Sequence, residues 1–295
     1  MRKILNVYQV DVFTNEKFQG NPATVVWDSG KLPEDLMLKI AREFNNSETV
    51  FVCFNKDNLP PTLKYYTPTQ EIDFCGHATI AAAFVFAKQV GNYGPIEFIT
   101  NKNVVKVQVS NEVFYYGSYS AQMGEELNNS IQNRLLKILN LDNNSLDSKY
   151  PIQIVKSISD KLLILLKQEE SLFDFIPDFN KLKAFQQCNN LPPIFLFNIN
   201  SINNVESLIC NGRMFAPTIG IDEDPVNGNS CIPLAKYLHH HKVVDNKFFN
   251  SPILCKQGES FHRKGTVYVD VNTNKKVEVN VGGTCTMAFK AIIKV

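Results

Sequence analysis

Three places in the chain set reactive polar groups where the surrounding pattern makes them hard to solvate. Glu48 leads an apolar run, Glu48-Thr49-Val50-Phe51-Val52-Cys53. A carboxylate half withdrawn from water suits general acid/base work; on a strand edge it would be an ordinary surface glutamate. Cys75-Gly76-His77 opens a longer apolar segment. Glycine lets a ligand come close to the backbone, and an imidazole in the first turn of a helix can give or take a proton. His77 could equally be a helix-cap residue, and Cys75 an activated thiolate or an inert buried thiol. In Asp222-Glu223-Asp224-Pro225-Val226-Asn227-Gly228-Asn229, three acids precede a proline and a glycine turn. The EF-hand spacing is absent and no second acidic cluster accompanies it, so a substrate-binding turn leading into a helix fits better than a metal site. His239-His240-His241 is read as a solvated helix end, because consecutive helical residues diverge rather than converge on one ion. Gln257-Gly258 with Arg263-Lys264-Gly265 forms a polar hairpin-like stretch, either a site or an exposed turn.

The elements that must position these groups follow from apolar periodicity. Strands are expected over Leu5–Phe13, Ala23–Trp27, Ser47–Cys53 and Leu63–Tyr66, with the turn Gly20-Asn21-Pro22 after the first. Pro33–Phe44 reads as an amphipathic helix with Leu36, Ile40, Ala41 and Phe44 on one face. Asp73–Lys88 is apolar all round, the mark of a buried helix, and in a strand-rich chain the simplest home for it is inside a curved sheet. The second half repeats this plan in outline. Tyr66-Thr67-Pro68-Thr69 precedes Cys75-Gly76-His77 as Phe215-Ala216-Pro217-Thr218 precedes Asn227-Gly228-Asn229, and the helix-like segment Ser230–His241 follows. The polar, Asn-rich stretch from Glu125 to Asp147 holds one short helical pattern (Ile131, Leu135, Ile138, Leu139), and the domain link is placed there. The tail alternates as a hairpin turning at Asn272-Thr273-Asn274. The predicted fold is α+β, with two similar domains over residues 1–125 and 126–280. The last strand, about 281–295, is open between them.

Composition narrows the function classes. Of 295 residues, 30 are Lys or Arg and 29 are Asp or Glu, a net charge of +1 that argues against a strong electrostatic grip on nucleic acid or an anionic membrane. The basic opening Met1-Arg2-Lys3 is followed by no apolar run of signal-peptide length. The longest apolar stretch, Ala78–Ala87, is about half of what spans a bilayer. Seven cysteines with no C-x-x-C pair read as reduced thiols. A cytoplasmic protein is expected.

Together these segments resemble the PhzF (phenazine biosynthesis-like) family. Val10-Asp11-Val12-Phe13 with Phe18-Gln19-Gly20-Asn21-Pro22-Ala23 is similar to its opening motif, and Ala41-Arg42-Glu43 with Ser47-Glu48-Thr49-Val50-Phe51 to the second. Phe74–Thr79 is similar to the third motif and Glu223–Asn229 to the fourth. Gln257-Gly258 with Arg263, and Val281-Gly282-Gly283, resemble the closing motifs. The resemblance implies a diaminopimelate epimerase-like fold, each domain a mostly antiparallel curled sheet around a central helix, with the active site in the cleft between domains. It also implies a homodimer and catalysis without cofactor or metal on a small carboxylated metabolite resembling trans-2,3-dihydro-3-hydroxyanthranilate. Carried over, Glu48 is the acid/base, and His77 and Asp224 hold the substrate's polar groups. Backbone N–H groups at Gly76-His77 and Gly228-Asn229 take its carboxylate, and Asn21, Ser47 and Asn227 complete the binding set. Where the phenazine enzyme has Thr-Gly-Ser, this chain has Asn227-Gly228-Asn229, and Pro233 stands where small residues are usual. Two other readings share the fold: a racemase or epimerase using Cys75 and a second thiol, of which Cys231 is the nearest candidate, and a non-catalytic binding protein.

Overall fold

The computed structural model describes residues 3–27, 30, 32–56, 59–200, 207–274 and 276–295. Met1 and Arg2 of the basic opening lie outside them. The chain divides into two compact units, residues 1–117 with 282–295, and residues 118–281.

The first part of the chain carries β1 (Ile4–Val12), β2 (Asn21–Trp27), α1 (Glu34–Phe44), β3 (Glu48–Cys53), β4 (Thr62–Tyr66), β5 (Glu71–Ile72), α2 (Gly76–Val90), β6 (Ile96–Ile99), β7 (Val104–Ser110) and β8 (Val113–Tyr119). β1 and β2 are antiparallel, and β2 runs parallel to β3 across α1. β4 is antiparallel to β3 and β5, and parallel to β6 across α2. β6, β7 and β8 continue antiparallel.

The second part of the chain holds β9 (Gln122–Glu126), α3 (Asn129–Ile138), β10 (Gln153–Lys156), β11 (Lys161–Leu165), α4 (Phe179–Cys188), β12 (Ile194–Ile199), β13 (Ile209–Ala216), β14 (Ile221–Asp224), α5 (Cys231–His240), β15 (Ile253–Gln257), β16 (Gly265–Asn272), β17 (Glu278–Gly283) and β18 (Cys285–Lys294). Its pairings repeat the first series step for step. β10 and β11 are antiparallel, β11 and β12 parallel across α4, and β12 and β13 antiparallel. β13 and β14 are antiparallel, β13 and β15 parallel across α5, and β15 and β16 antiparallel. The duplication suggested by the two Pro…Gly segments therefore extends to the whole strand order.

Each series is completed by the strand that follows the other. β18 lies along β1 from Ile4 to Val12, and β9 pairs with β10. This pairing is why the chain divides at 117/118 rather than at the expected 125/126. The Asn-rich stretch is also no link: Leu135, Leu136 and Leu139 of its helix α3 pack with Leu182 and Phe185 of α4 in a buried cluster.

α2 is apolar on every side because the strands surround it, and Gly76, Ala78–Val85 and Ala87 are all buried. It ends where Gly91 takes a left-handed conformation (φ 74°) and its N–H bonds Ala87 O. α1 lies outside these strands. Only Met37, Ile40 and Ala41 are buried, against Leu5, Val7, Val26, Phe51 and Tyr66. Among the described residues no helix is long and apolar enough to cross a membrane.

Candidate active site

The first half-site is built where β3 begins and α2 starts. Glu48 is the first residue of β3, opposite Ala23 of the parallel strand β2. Asn21, two residues upstream of Ala23, is buried at the start of β2, whereas Ser47 is exposed. Cys75 is the N-cap of α2, with extended backbone (φ −142°, ψ 120°), so His77 falls in the first turn. Cap positions favour Ser, Thr, Asp or Asn, whose oxygens satisfy the free N–H groups. Cys75 makes no such bond. Its thiol turns instead to the imidazole, with Sγ 3.4 Å from His77 Nδ1.

On the other side of the ring, His77 Nε2 lies 3.3 Å from Glu48 Oε2, with only 10% and 14% of the two side chains exposed. That distance suits an ion pair, yet the two atoms are not aligned for a hydrogen bond. Both are shut away from solvent without another hydrogen-bond partner. Buried polar atoms are seldom left so. Carboxylate, imidazole and thiol thus form a row, Glu48–His77–Cys75. One donor atom from each lies within 4.8 Å of the others, close enough in principle to share a metal ion.

Gly76 is required by packing as well as by any ligand. A Cβ there would run into the phenol of Tyr116, a buried residue of β8. Tyr65 and Thr79 share a 2.6 Å hydrogen bond, and Thr79 Oγ1 donates to Cys75 O (2.7 Å), which fixes the first turn of α2. No spacing in the sequence points to Tyr116.

The second half-site centres on Asn227. Its Nδ2 donates to Asp224 Oδ2 (2.8 Å), and its Oδ1 accepts from Ser230 N and Oγ (2.8 Å each). Its backbone is held by a side chain from β15. Gln257, 3% exposed, accepts from Asn227 N (2.9 Å) and donates to Asn227 O (3.3 Å). The Gln257-Gly258 stretch is therefore a buried brace rather than an exposed turn. Gly258 is needed there because it sits at φ +86°, where a Cβ would meet Arg263 O. Asp224 closes β14, which is fixed by its neighbour Glu223. Arg213, almost fully buried, makes a two-point contact to Glu223 (2.8 Å each) and donates to Leu172 O and Phe175 O.

Lys161, at the start of β11, is 1% exposed and donates to Ser159 Oγ (2.5 Å). Burial pushes its ammonium down to about 8, partly opposed by the charges of Asp224 and Asp160. Cys231, the thiol nearest Gly228, is fully buried beside Gln257 Nε2 (3.8 Å). Burial, with Cys255 and Cys210 nearby, holds it protonated well above the usual thiol range.

The histidine run is less solvated than expected. Only His240 is exposed. His241 Nε2 meets Gln153 Oε1 (2.7 Å) and its ring lies against Tyr237, while His239 lies against Phe249. Burial lowers the pKa of His239 and His241. α5 is apolar and packs along most of its length, so two of the three rings are drawn in.

Curled strands around a buried helix, laid out twice in one chain, define the diaminopimelate epimerase type of fold. A hydroxyproline epimerase from Agrobacterium vitis, solved with bound trans-4-hydroxy-L-proline, shares it with a TM-score of 0.58 at 11% identity, covering 100% of this chain and 94% of that one. Within that fold, a PhzF-family protein from Bacillus anthracis superposes with a TM-score of 0.85 at 23% identity, over 99% of this chain and 100% of that one. The family model for phenazine biosynthesis-like proteins (PhzC-PhzF) matches residues 10–291. An uncharacterized isomerase of Clostridium acetobutylicum is 36% identical over 97% of each chain. The chain belongs to the phenazine biosynthesis-like family.

Proposed function

We propose that this protein is a PhzF-like isomerase that moves a proton on a small carboxylated metabolite, with Glu48 as its one acid/base and no cofactor. The observation that carries this reading is the Glu48–His77 pair, a mostly buried carboxylate oxygen without a hydrogen-bond partner, 3.3 Å from an imidazole nitrogen. A carboxylate so placed has a lone pair to offer a substrate C–H, and the imidazole beside it steadies either protonation state. His77 and Asp224 hold the substrate's polar groups in this proposal, and N–H groups at Gly76-His77 and Gly228-Asn229 receive its carboxylate. Asn21, Ser47, Asn227 and Asn229 belong to the proposed binding set, with Asn227 acting through the loop it braces. One base suffices if the proton leaves and returns on one face of the substrate.

The two-thiol reading gains no support from Cys231, whose buried thiol stays protonated. The test is incubation with trans-2,3-dihydro-3-hydroxyanthranilate in D₂O, wild type beside Glu48→Gln, followed by NMR. Isomerisation by wild type alone supports the reading. Turnover that survives Glu48→Gln and dies with Cys75→Ser overturns it. Size-exclusion chromatography with light scattering tests the proposed homodimer.

A further inference from the structure

We propose that Cys75 is a positioning residue that selects the tautomer of His77, donating its S–H to Nδ1 so that the ring proton sits on Nε2, facing Glu48. The inference rests on the acid/base reading of Glu48.

The contacts admit two arrangements of one proton on a neutral ring. With the proton on Nδ1, the Nε2 lone pair would stand 3.3 Å from a carboxylate oxygen in a place closed to water, lone pair against lone pair. With the proton on Nε2, the same contact becomes N–H toward carboxylate and needs only a small rotation to become a hydrogen bond. That choice leaves Nδ1 as an acceptor, and the group beside it, at 3.4 Å, is the Cys75 thiol. A thiol can donate there. Which nitrogen of a histidine holds the proton is set by the partner of the other.

The helix geometry points the same way. Cys75 holds the N-cap of α2 but leaves the cap unmade and turns Sγ to the ring. A serine in its place has a shorter side chain and a strong preference for capping. Cys75→Ser is therefore expected to cap α2 and let go of His77, which separates the helix role from the ring role.

The measurement is ¹⁵N NMR of histidine-labelled full-length protein at about pH 8.5, well above the ordinary histidine range. It is read on wild type, Cys75→Ala and Cys75→Ser, with His77→Gln assigning the resonance. Wild type is expected to show His77 protonated on Nε2, and both variants a mixture of tautomers. With the substrate of the preceding section, kcat is expected to fall about threefold to tenfold in both variants with KM changed less than about twofold. Cys75→Ser should melt no lower than wild type. A wild-type proton on Nδ1, or variants that keep the wild-type tautomer, would overturn the inference. The NMR readout needs no substrate. A failure of Glu48 as the base, seen as full turnover by Glu48→Gln, is therefore told apart from a failure here.

Discussion

The two halves of the chain share a strand order but not a chemistry. In the first, the strand after the parallel crossover begins with Glu48; in the second, the matching strand β12 begins with Ile194, fully buried and apolar. Where the first has Cys75-Gly76-His77 at the start of the central helix, the second has Asn227-Gly228-Asn229. Two polar atoms of the first set, Glu48 Oε2 and His77 Nε2, have no hydrogen-bond partner. Asn227, by contrast, is matched through both side-chain atoms and its backbone. Unpaired buried polar groups are costly, so keeping two of them at the first site and, among the described residues, none at the second fits the proposed division between a reacting half and a holding half. On the proposed one-base mechanism, the duplicated scaffold needs to present only one such carboxylate.

The comparison breaks most sharply at Glu48. Glu48→Gln keeps the shape and removes the base, and turnover should fall by about 10²–10⁴-fold, the range of a general acid/base contribution. The next test asks whether position alone makes a base. Ile194→Glu places a carboxyl at the start of the matching strand, but nothing like His77 or Cys75 is there to receive it. The outcome expected is a loss of about 3–5 kcal/mol in stability by denaturant titration, and no turnover when combined with Glu48→Gln. Restored turnover would mean that the strand position, rather than the Glu48–His77–Cys75 row, carries the chemistry.

Much of this layout is legible in the sequence, for a physical reason. α2 announces itself because a helix enclosed by strands has no polar face, and Ala78–Val85 has none. The first half-site is legible because its three side chains fall in two short segments whose groups are chemically conspicuous. The second is legible as the turn Asp222–Asn229 but not in how it is held, because its structure depends on long-range braces. Gln257 reaches Asn227 from thirty residues away, and Arg213 secures Glu223 from an adjoining strand. Tyr116, which demands the glycine at position 76, reads as one more strand aromatic. The membership of β9 and β18 is equally hidden, since each pairs with a strand series other than the one it follows.

Lys161 sharpens the comparison on the holding side, where a buried cation lies within reach of Asp224's charge. Its folded-state value is about 8 against an ordinary 10.5. Below pH 8 both folded and unfolded chains carry the proton, so the burial cost is felt in full. Between about 8 and 10.5 the unfolded chain holds a proton that the folded one has shed, so stability rises with pH. Measured against Lys161→Met, the wild type should gain about 3 kcal/mol across that window and nothing below it. A difference that does not change with pH would show that the ammonium is solvated.

The smallest expected effect distinguishes bracing from binding. Gln257→Leu keeps the buried volume roughly constant but strands Asn227 N–H and O, which Gln257 otherwise satisfies. Leaving buried partners unmatched costs about 1–3 kcal/mol, so unfolding should shift by about 2 kcal/mol. If the loop from Asp224 to Ser230 only holds substrate, the variant's turnover should fall chiefly through KM, because Glu48 on β3 and His77 and Cys75 at the start of α2 keep their geometry. A fall confined to kcat would instead place a reacting group in the second half-site, and the division between the two halves would not stand. The chemistry of Asn227 makes a KM effect the natural expectation: its side chain ties Asp224 to Ser230 at the start of α5, so loosening its backbone loosens the carboxylate it holds.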